Sequence, residues 1–182
     1  MTPYSKLENE NLADRFIDQA RNFLTTEYLP KIERCLDQLS DEQIWWRPNE
    51  QSNSIGNLLL HLSGNARQWI VSGLGGEVDK RNRDSEFAER EGIPGAELLQ
   101  LLKRTLTDVD DTLAAFDRSR LLELREIQKS EVSALEAVFH VTEHFSMHTG
   151  QIILLTKMLA GRDLQFYKFS DGGPVHTWRK AN

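Results

Sequence analysis

Three of the five histidines in this 182-residue chain recur at four-residue intervals, at His140, His144 and His148. On an α-helix each step of four residues turns by only about 40°, so the three imidazoles share one face. Two imidazoles one turn apart can reach a single metal ion, whereas the outer two are about 12 Å apart along the axis. The spacing therefore predicts a metal site that uses either His140 with His144 or His144 with His148, completed by a ligand from elsewhere.

The best candidate for that further ligand is His61. It lies on the apolar side of a second predicted helix, at about 53–72. Counting residues from the helix ends puts His61 level with His144 if the two helices are antiparallel, and level with His148 if they are parallel. Both cases favour the pair His144 and His148, and they leave His140 as a neighbour of the site.

The elements that must position these side chains are long amphipathic helices. Apolar residues recur at helical spacing over about 7–39, 53–72, 94–116 and 133–161. Because Pro30 lacks a backbone donor, we expect a kink or break of the first helix in the three residues before it. The pattern predicts an all-α fold, a four-helix bundle with a long connection between the second and third helices.

That connection, Glu77 to Gly92, is long and highly charged. Its length permits a crossover along the bundle, and the segment is a candidate lid over a site. The basic run at 80–83 is followed at once by acidic residues, which is typical of a solvated loop. The whole chain, 1–182, is expected to form a single domain, with 162–182 as a C-terminal tail packed on the bundle.

Composition and charge exclude several classes of function. The net charge of −6 and the lack of a long basic patch argue against a nucleic-acid partner. A single cysteine, Cys35, excludes an internal disulfide framework and a cysteine-rich zinc module, and it is expected to be a small buried apolar residue. No stretch has the pattern of a secretion signal or a membrane span, so we expect a cytoplasmic protein without a membrane partner.

Two short motifs carry a resemblance to a known family. The run His144-Phe-Ser-Met-His148-Thr-Gly-Gln151, with Leu60-His61-Leu62 followed by Asn65 and Trp69, resembles the DinB/YfiT-like superfamily of helical-bundle metal-binding proteins. The similarity spans essentially the whole chain. It implies a three-histidine site for a divalent metal ion, most often zinc or nickel, with the ligands His61, His144 and His148.

The resemblance also implies a class of chemistry. Three neutral imidazoles with an open position are typical of a catalytic metal ion. Relatives suggest a thiol-dependent S-transferase acting on a small molecule, with a low-molecular-weight thiol as partner, or else a hydrolase; a homodimer is the assembly considered. The alternative is a non-catalytic metal-binding or stress-related binding protein of the same fold. His140 and Asn65 are pocket candidates, and Asn65 and Glu143 are candidates to support the liganding imidazoles.

Overall fold

A computed structural model describes residues 12–178 of the protein. Most of these residues are helical, which confirms the helical character predicted from the sequence. The predicted start of the first helix, near residue 7, lies outside the described residues. The helices are α1 (Leu12–Asn22), α2 (Leu29–Leu36), α3 (Asp41–Trp45), α4 (Ile55–Ala66), α5 (Arg83–Ala88), α6 (Gly95–Ala115) and α7 (Ala134–Ala160).

The first long helical segment continues through the point where a kink or break was expected. A π-helical turn, Phe23–Tyr28, joins α1 to α2, and Pro30 is within the first turn of α2. The wider π-helical turn accommodates the missing backbone donor of Pro30, so the segment remains helical. A second π-helical turn, Arg67–Ser72, extends α4 to the predicted end of that helix.

The two helices that carry His61, His144 and His148 begin with reciprocal hydrogen bonds. Ser54 accepts from the backbone of Asn57, whose side chain accepts from the Ser54 backbone, and α4 starts there. Ser133 and Glu136 form the same arrangement at the start of α7. Gly161 ends α7 with a φ of 62°, a left-handed conformation that favours glycine. These ends fix the position of each histidine along its helix.

The all-α prediction is incomplete, because two antiparallel hairpins accompany the helices. Strands β1 (Leu124–Ile127) and β2 (Ser130–Ser133) pair directly before α7, and β3 (Tyr167–Ser170) pairs with β4 (Gly173–His176) in the tail. The hairpins are small, and the buried apolar core lies between the helices.

Contacts between helices give their relative directions. Along α4 and α7 the pairs are His61 with His144 and Asn65 with His140, so these two helices are antiparallel. Along α4 and α6, Arg67 binds Asp108, and the chain continues past α4 to Gly75, which lies beside Thr112, so α4 and α6 are parallel. A parallel neighbour requires the chain to return along the bundle, which is the crossover that the long connection was predicted to permit.

The tail after α7 packs against the helices. Leu164, Phe166 and Trp178 are buried members of the core, and the indole of Trp178 donates to Glu27 over 3.2 Å. Whether 1–182 forms a single domain stays a prediction. None of the helices within residues 12–178 combines the length and the apolar character that a membrane span requires.

Candidate metal centre

The structure brings together the three histidines that the sequence singled out as ligands. The Nε2 atom of His144 lies 3.1 Å from Nε2 of His61 and 3.1 Å from Nε2 of His148. One ring nitrogen from each of the three residues lies within 4.8 Å of the others. The three residues are only 6%, 8% and 9% exposed for His61, His144 and His148 respectively. The cluster is therefore buried and could hold one metal ion.

The outer two imidazoles are oriented by hydrogen bonds at Nδ1. Nδ1 of His61 is 2.9 Å from Oε2 of Glu86, and Nδ1 of His148 is 2.7 Å from the amide oxygen of Gln151. Both partner atoms accept hydrogen bonds, so each Nδ1 carries the proton. In the neutral imidazole the lone pair then lies on Nε2, which faces His144. Support of this kind is usual for metal-binding histidines.

The third imidazole tests whether the cluster fits a cation. Nδ1 of His144 is buried and has no hydrogen-bond partner among the described residues. If the proton of His144 is on Nε2, it must be shared between the lone pairs of His61 and His148 and makes a poor hydrogen bond to either. If the proton is on Nδ1, the Nε2 lone pairs of all three histidines face one another. A cation removes that repulsion. Nitrogens bound to one tetrahedral zinc at about 2.0–2.1 Å lie about 3.3 Å apart, close to the two spacings of 3.1 Å found here.

Electrostatics favour neutral imidazoles in the α7 part of the site. Burial, together with the neighbouring His148 and His61, lowers the pKa of His144 to about 3. Burial also lowers the pKa of His148, although the hydrogen bond with Gln151 opposes this shift. Since a metal ion binds the neutral form of imidazole, these side chains are ready to act as ligands at neutral pH.

His140 and Asn65, the two pocket candidates, contact each other and lie outside the ligand cluster. Nδ2 of Asn65 lies 3.2 Å from Nε2 of His140, whose ring packs against Trp69 in a tilted arrangement with 4.1 Å between centroids. Burial lowers the pKa of His140, partly opposed by Glu143. Its ring centre is 5.3 Å from that of His144. His140 therefore lines the site without sharing the three-nitrogen centre, as the depth count predicted.

The two candidates for supporting partners, Asn65 and Glu143, do not hold the clustered imidazoles. Asn65 binds His140, and Glu143 is exposed on the outer side of α7. The actual partners are Glu86 and Gln151, which the sequence reasoning did not assign to this role. Gln151 had a visible signal, because a residue three positions after His148 lies on the same helical face.

The prediction that the charged connection is a solvated loop is wrong around Glu86. Glu86 is 7% exposed, and its carboxylate receives two hydrogen bonds from Arg81, of 2.7 and 2.9 Å. Burial alone would raise the pKa of Glu86, but hydrogen bonds from Arg81 and His61 outweigh it and lower that pKa. The one signal in the sequence was Phe87, an aromatic residue in a charged stretch, whose ring centre lies 4.7 Å from that of His61. The segment thus contacts His61 directly, and its role as a lid stays a prediction.

A cavity of about 600 Å³ adjoins this covering segment. It lies between α4, α6 and the charged connection, with Leu60, Ile93 and Leu101 on its apolar side. Arg81 and Glu86 line it as well, whereas none of the three liganding histidines does. The ion pair therefore separates the cavity from the histidine cluster.

Sequence comparison places the chain in a family. Residues 11–172 match a family described as "Protein of unknown function (DUF1572)", which is most of the chain. The chain belongs to this family. No curated protein matches the chain.

Several solved structures share the fold at low sequence identity. A DinB-like protein from Bacillus cereus has a TM-score of 0.59 at 17% identity, over 75% of this chain and 88% of that one. The DinB-like protein YjoA from Bacillus subtilis has a TM-score of 0.60 at 17% identity, over 80% and 93%. A conserved protein from Enterococcus faecalis has a TM-score of 0.62 at 15% identity, over 89% and 99%. The DUF1572 chain thus has the fold of the DinB-like proteins, which the family resemblance implied.

Proposed function

We propose that this DUF1572 protein is a metal-dependent enzyme that acts on a small molecule. Its scaffold is a four-helix bundle, and its centre is one divalent ion, zinc or nickel, held by His61, His144 and His148. The observation that carries the proposal is the convergence of three Nε2 atoms, two of which are fixed as lone-pair donors by Glu86 and Gln151. Three histidine ligands with a free coordination position are typical of catalytic rather than structural zinc.

The proposed reaction is S-transfer to or from a low-molecular-weight thiol, or else hydrolysis. A divalent cation held by three imidazoles supplies Lewis acidity, which favours the deprotonated form of water or of a thiol. Around it, Glu86 and Gln151 orient two ligands, and the half-buried His140 is the nearest further imidazole for moving a proton. Because Asn65 donates a hydrogen bond to Nε2 of His140, the exchangeable proton of the neutral His140 ring is on Nδ1.

We propose a small cytoplasmic molecule as the substrate, because the cavity beside the site has a suitable volume. The neighbouring cavity, of about 600 Å³, is within the usual range of about 300–1,000 Å³ for small-molecule pockets. Its wall includes Arg81 and Glu86, which also contact His61. We include a homodimer in the proposal as the assembly that the family resemblance suggests.

A second candidate function is metal binding without turnover. It is favoured by the burial of the three ligands and by their separation from the cavity through the Arg81–Glu86 pair. In this case the ion stabilises the fold or is stored, and a substrate never reaches it.

Metal analysis and activity assays distinguish these candidates. Protein purified without an affinity tag should contain close to one divalent ion per chain, measured by inductively coupled plasma mass spectrometry. It should then be assayed for thiol conjugation and ester hydrolysis, before and after treatment with a chelator. Turnover that is lost with the metal and restored by adding it back supports the enzyme. A stoichiometric ion without turnover favours the second candidate, and metal-free protein from replete medium contradicts both.

A further inference from the structure

The charged connection, residues 77–92 and hereafter the connector, reaches the metal centre through one buried ion pair. Oε2 of Glu86 contacts both Nδ1 of His61, at 2.9 Å, and Nη2 of Arg81, also at 2.9 Å. Oε1 of Glu86 accepts a hydrogen bond from Nε of Arg81 over 2.7 Å. Nη2 of Arg81 is itself only 3.1 Å from Nδ1 of His61. An acceptor and a donor therefore compete for the same imidazole nitrogen.

The identity of the group that binds Nδ1 decides which nitrogen of His61 can bind a metal. A carboxylate only accepts hydrogen bonds, so contact with Glu86 requires a proton on Nδ1 and leaves the lone pair on Nε2. A guanidinium only donates, so contact with Arg81 alone would place the lone pair on Nδ1 and the proton on Nε2. The second arrangement points a proton at His144 and His148. Glu86 thus selects the tautomer that can act as a ligand.

Two residues of α4 hold Glu86 in this place. At Gly64, a Cβ atom would overlap the Glu86 carboxylate and lie 3.0 Å from Nε of Arg81, so only glycine lets the ion pair approach the helix this closely. At Asn57, the buried side-chain amide donates to the backbone carbonyls of Glu86 and Glu89, each over 2.9 Å. The connector is therefore anchored to the same helix that carries His61.

We propose that Glu86 is a positioning residue of the metal centre, and that the docked connector, through Arg81 and Gly64, sets the tautomer and hence the metal affinity of His61. The inference rests on the proposed metal site and adds a control on it. It makes the affinity of the centre dependent on a segment that supplies no ligand.

The tautomer is testable in metal-free protein by nitrogen-15 NMR of the imidazoles. In the wild type, His61 should show a protonated Nδ1 and an unprotonated Nε2. In Glu86→Ala the remaining neighbour is Arg81, so the pattern should reverse. Glu86→Gln retains an acceptor oxygen of the same size and should keep the wild-type pattern. Asp84→Ala, which removes an exposed carboxylate from the same short helix, is the matched control.

Metal affinity is the second readout, measured by competition with a chromophoric chelator. Glu86→Ala should bind zinc about 10- to 100-fold more weakly than the wild type, with Glu86→Gln between them and Asp84→Ala unchanged. Gly64→Ala, which alters no polar group, should also weaken binding by displacing the ion pair. Circular dichroism verifies that each variant is folded, and Gly64→Ala replaces Glu86→Ala as the main comparison if the latter is not.

The outcomes separate this inference from the proposed function. If the wild type binds no metal, the proposed function fails, while the tautomer measurement still decides the role of Glu86. If the wild type binds metal but Glu86→Ala keeps both the tautomer and the affinity, the positioning role is overturned and the proposed function stands. An equal loss in Asp84→Ala would also overturn it, because the effect would then be one of charge alone.

Discussion

The two imidazoles that flank His144 are supported in different ways. His148 is held by Gln151, a neutral and exposed side chain three residues further along the same helix. His61 is held by Glu86, a buried carboxylate 25 residues away in the connector and paired with Arg81. The α7 side of the site is therefore complete once one helix forms, whereas the α4 side requires a separate segment to dock.

The difference implies that the two sides of one centre respond to different perturbations. A local partner on a helix can be lost only with its own side chain or with the helix. A partner on a docked segment is also lost when the segment leaves, and such segments open at a lower free energy than the core. The affinity of the centre should therefore follow the docking of the connector more closely than the stability of α7.

The largest expected effect comes from the residue common to both sides. His144→Ala removes the nitrogen that lies 3.1 Å from each neighbour, and two remaining imidazoles on different helices cannot hold an ion well. We expect purified His144→Ala to contain far less than one divalent ion per chain by mass spectrometry. His176→Ala, at an exposed tail position, should keep the wild-type content. Full occupancy in His144→Ala would show that the ion binds elsewhere.

This asymmetry also explains what the sequence could predict. Helical spacing left two histidine pairs open, and a depth count against His61, which lies on the apolar side of the second helix, favoured His144 with His148, as did the family resemblance. The support by Glu86 was missed because no periodicity places a residue of a charged connection against a helix. Only the packing of the connector on Gly64 and Asn57 brings that carboxylate to His61.

Asn57→Asp tests whether the connector docks independently of α7. Aspartate keeps the acceptor oxygen that caps α4 but loses the two hydrogen bonds to the carbonyls of Glu86 and Glu89. Two such bonds contribute about 1–3 kcal/mol together. Hydrogen exchange, followed by mass spectrometry, should therefore be faster in 77–92 while α7 remains protected. Asn49→Asp, in an exposed turn, is the control, and equal acceleration in α7 would contradict separate docking.

The pH dependence of the metal-free protein examines the α7 side by itself. The pKa values of His144, His148 and His140 are lowered on folding, so below about pH 6.5 the unfolded chain binds protons that the folded chain does not. The free energy of unfolding should be level above about pH 7.5 and fall below it. Between pH 7.5 and 5.5, His144 alone should account for about 1.4 kcal/mol.

Urea denaturation of the metal-free protein at these two pH values measures the change. Metal-loaded protein is the comparison, since a bound ion holds the imidazoles neutral and adds its own binding free energy to stability. A metal-free protein that is equally stable at pH 5.5 and 7.5 would show that these imidazoles take up protons without cost to the fold.

The hairpins show a different limit of sequence analysis. The first turn has left-handed backbone at Gln128 and Lys129, with φ of 54° and 63°, although neither residue favours that conformation. The sequence has no Gly, Asn or Asp at these two positions that would have predicted the turn. The second hairpin did carry a signal, because Asp171-Gly172 lies between its strands, and an Asp-Gly pair is typical of a tight hairpin. The Asp-Gly pair alone did not predict the hairpin, because the strands beside it are short and exposed and so lack a buried apolar face.

The smallest expected effect is at Gln151, and it completes the comparison with Glu86. Gln151→Ala removes the acceptor for Nδ1 of His148, but this side chain is exposed, so water can replace it. Zinc affinity in chelator competition should fall by no more than about tenfold, at the lower end for such partners. Glu86→Ala should cost more, because water cannot easily replace a buried carboxylate and Arg81 is left to donate to Nδ1 of His61. If Gln151→Ala proved the more damaging, metal affinity would depend mainly on α7, and the connector would be only a cover.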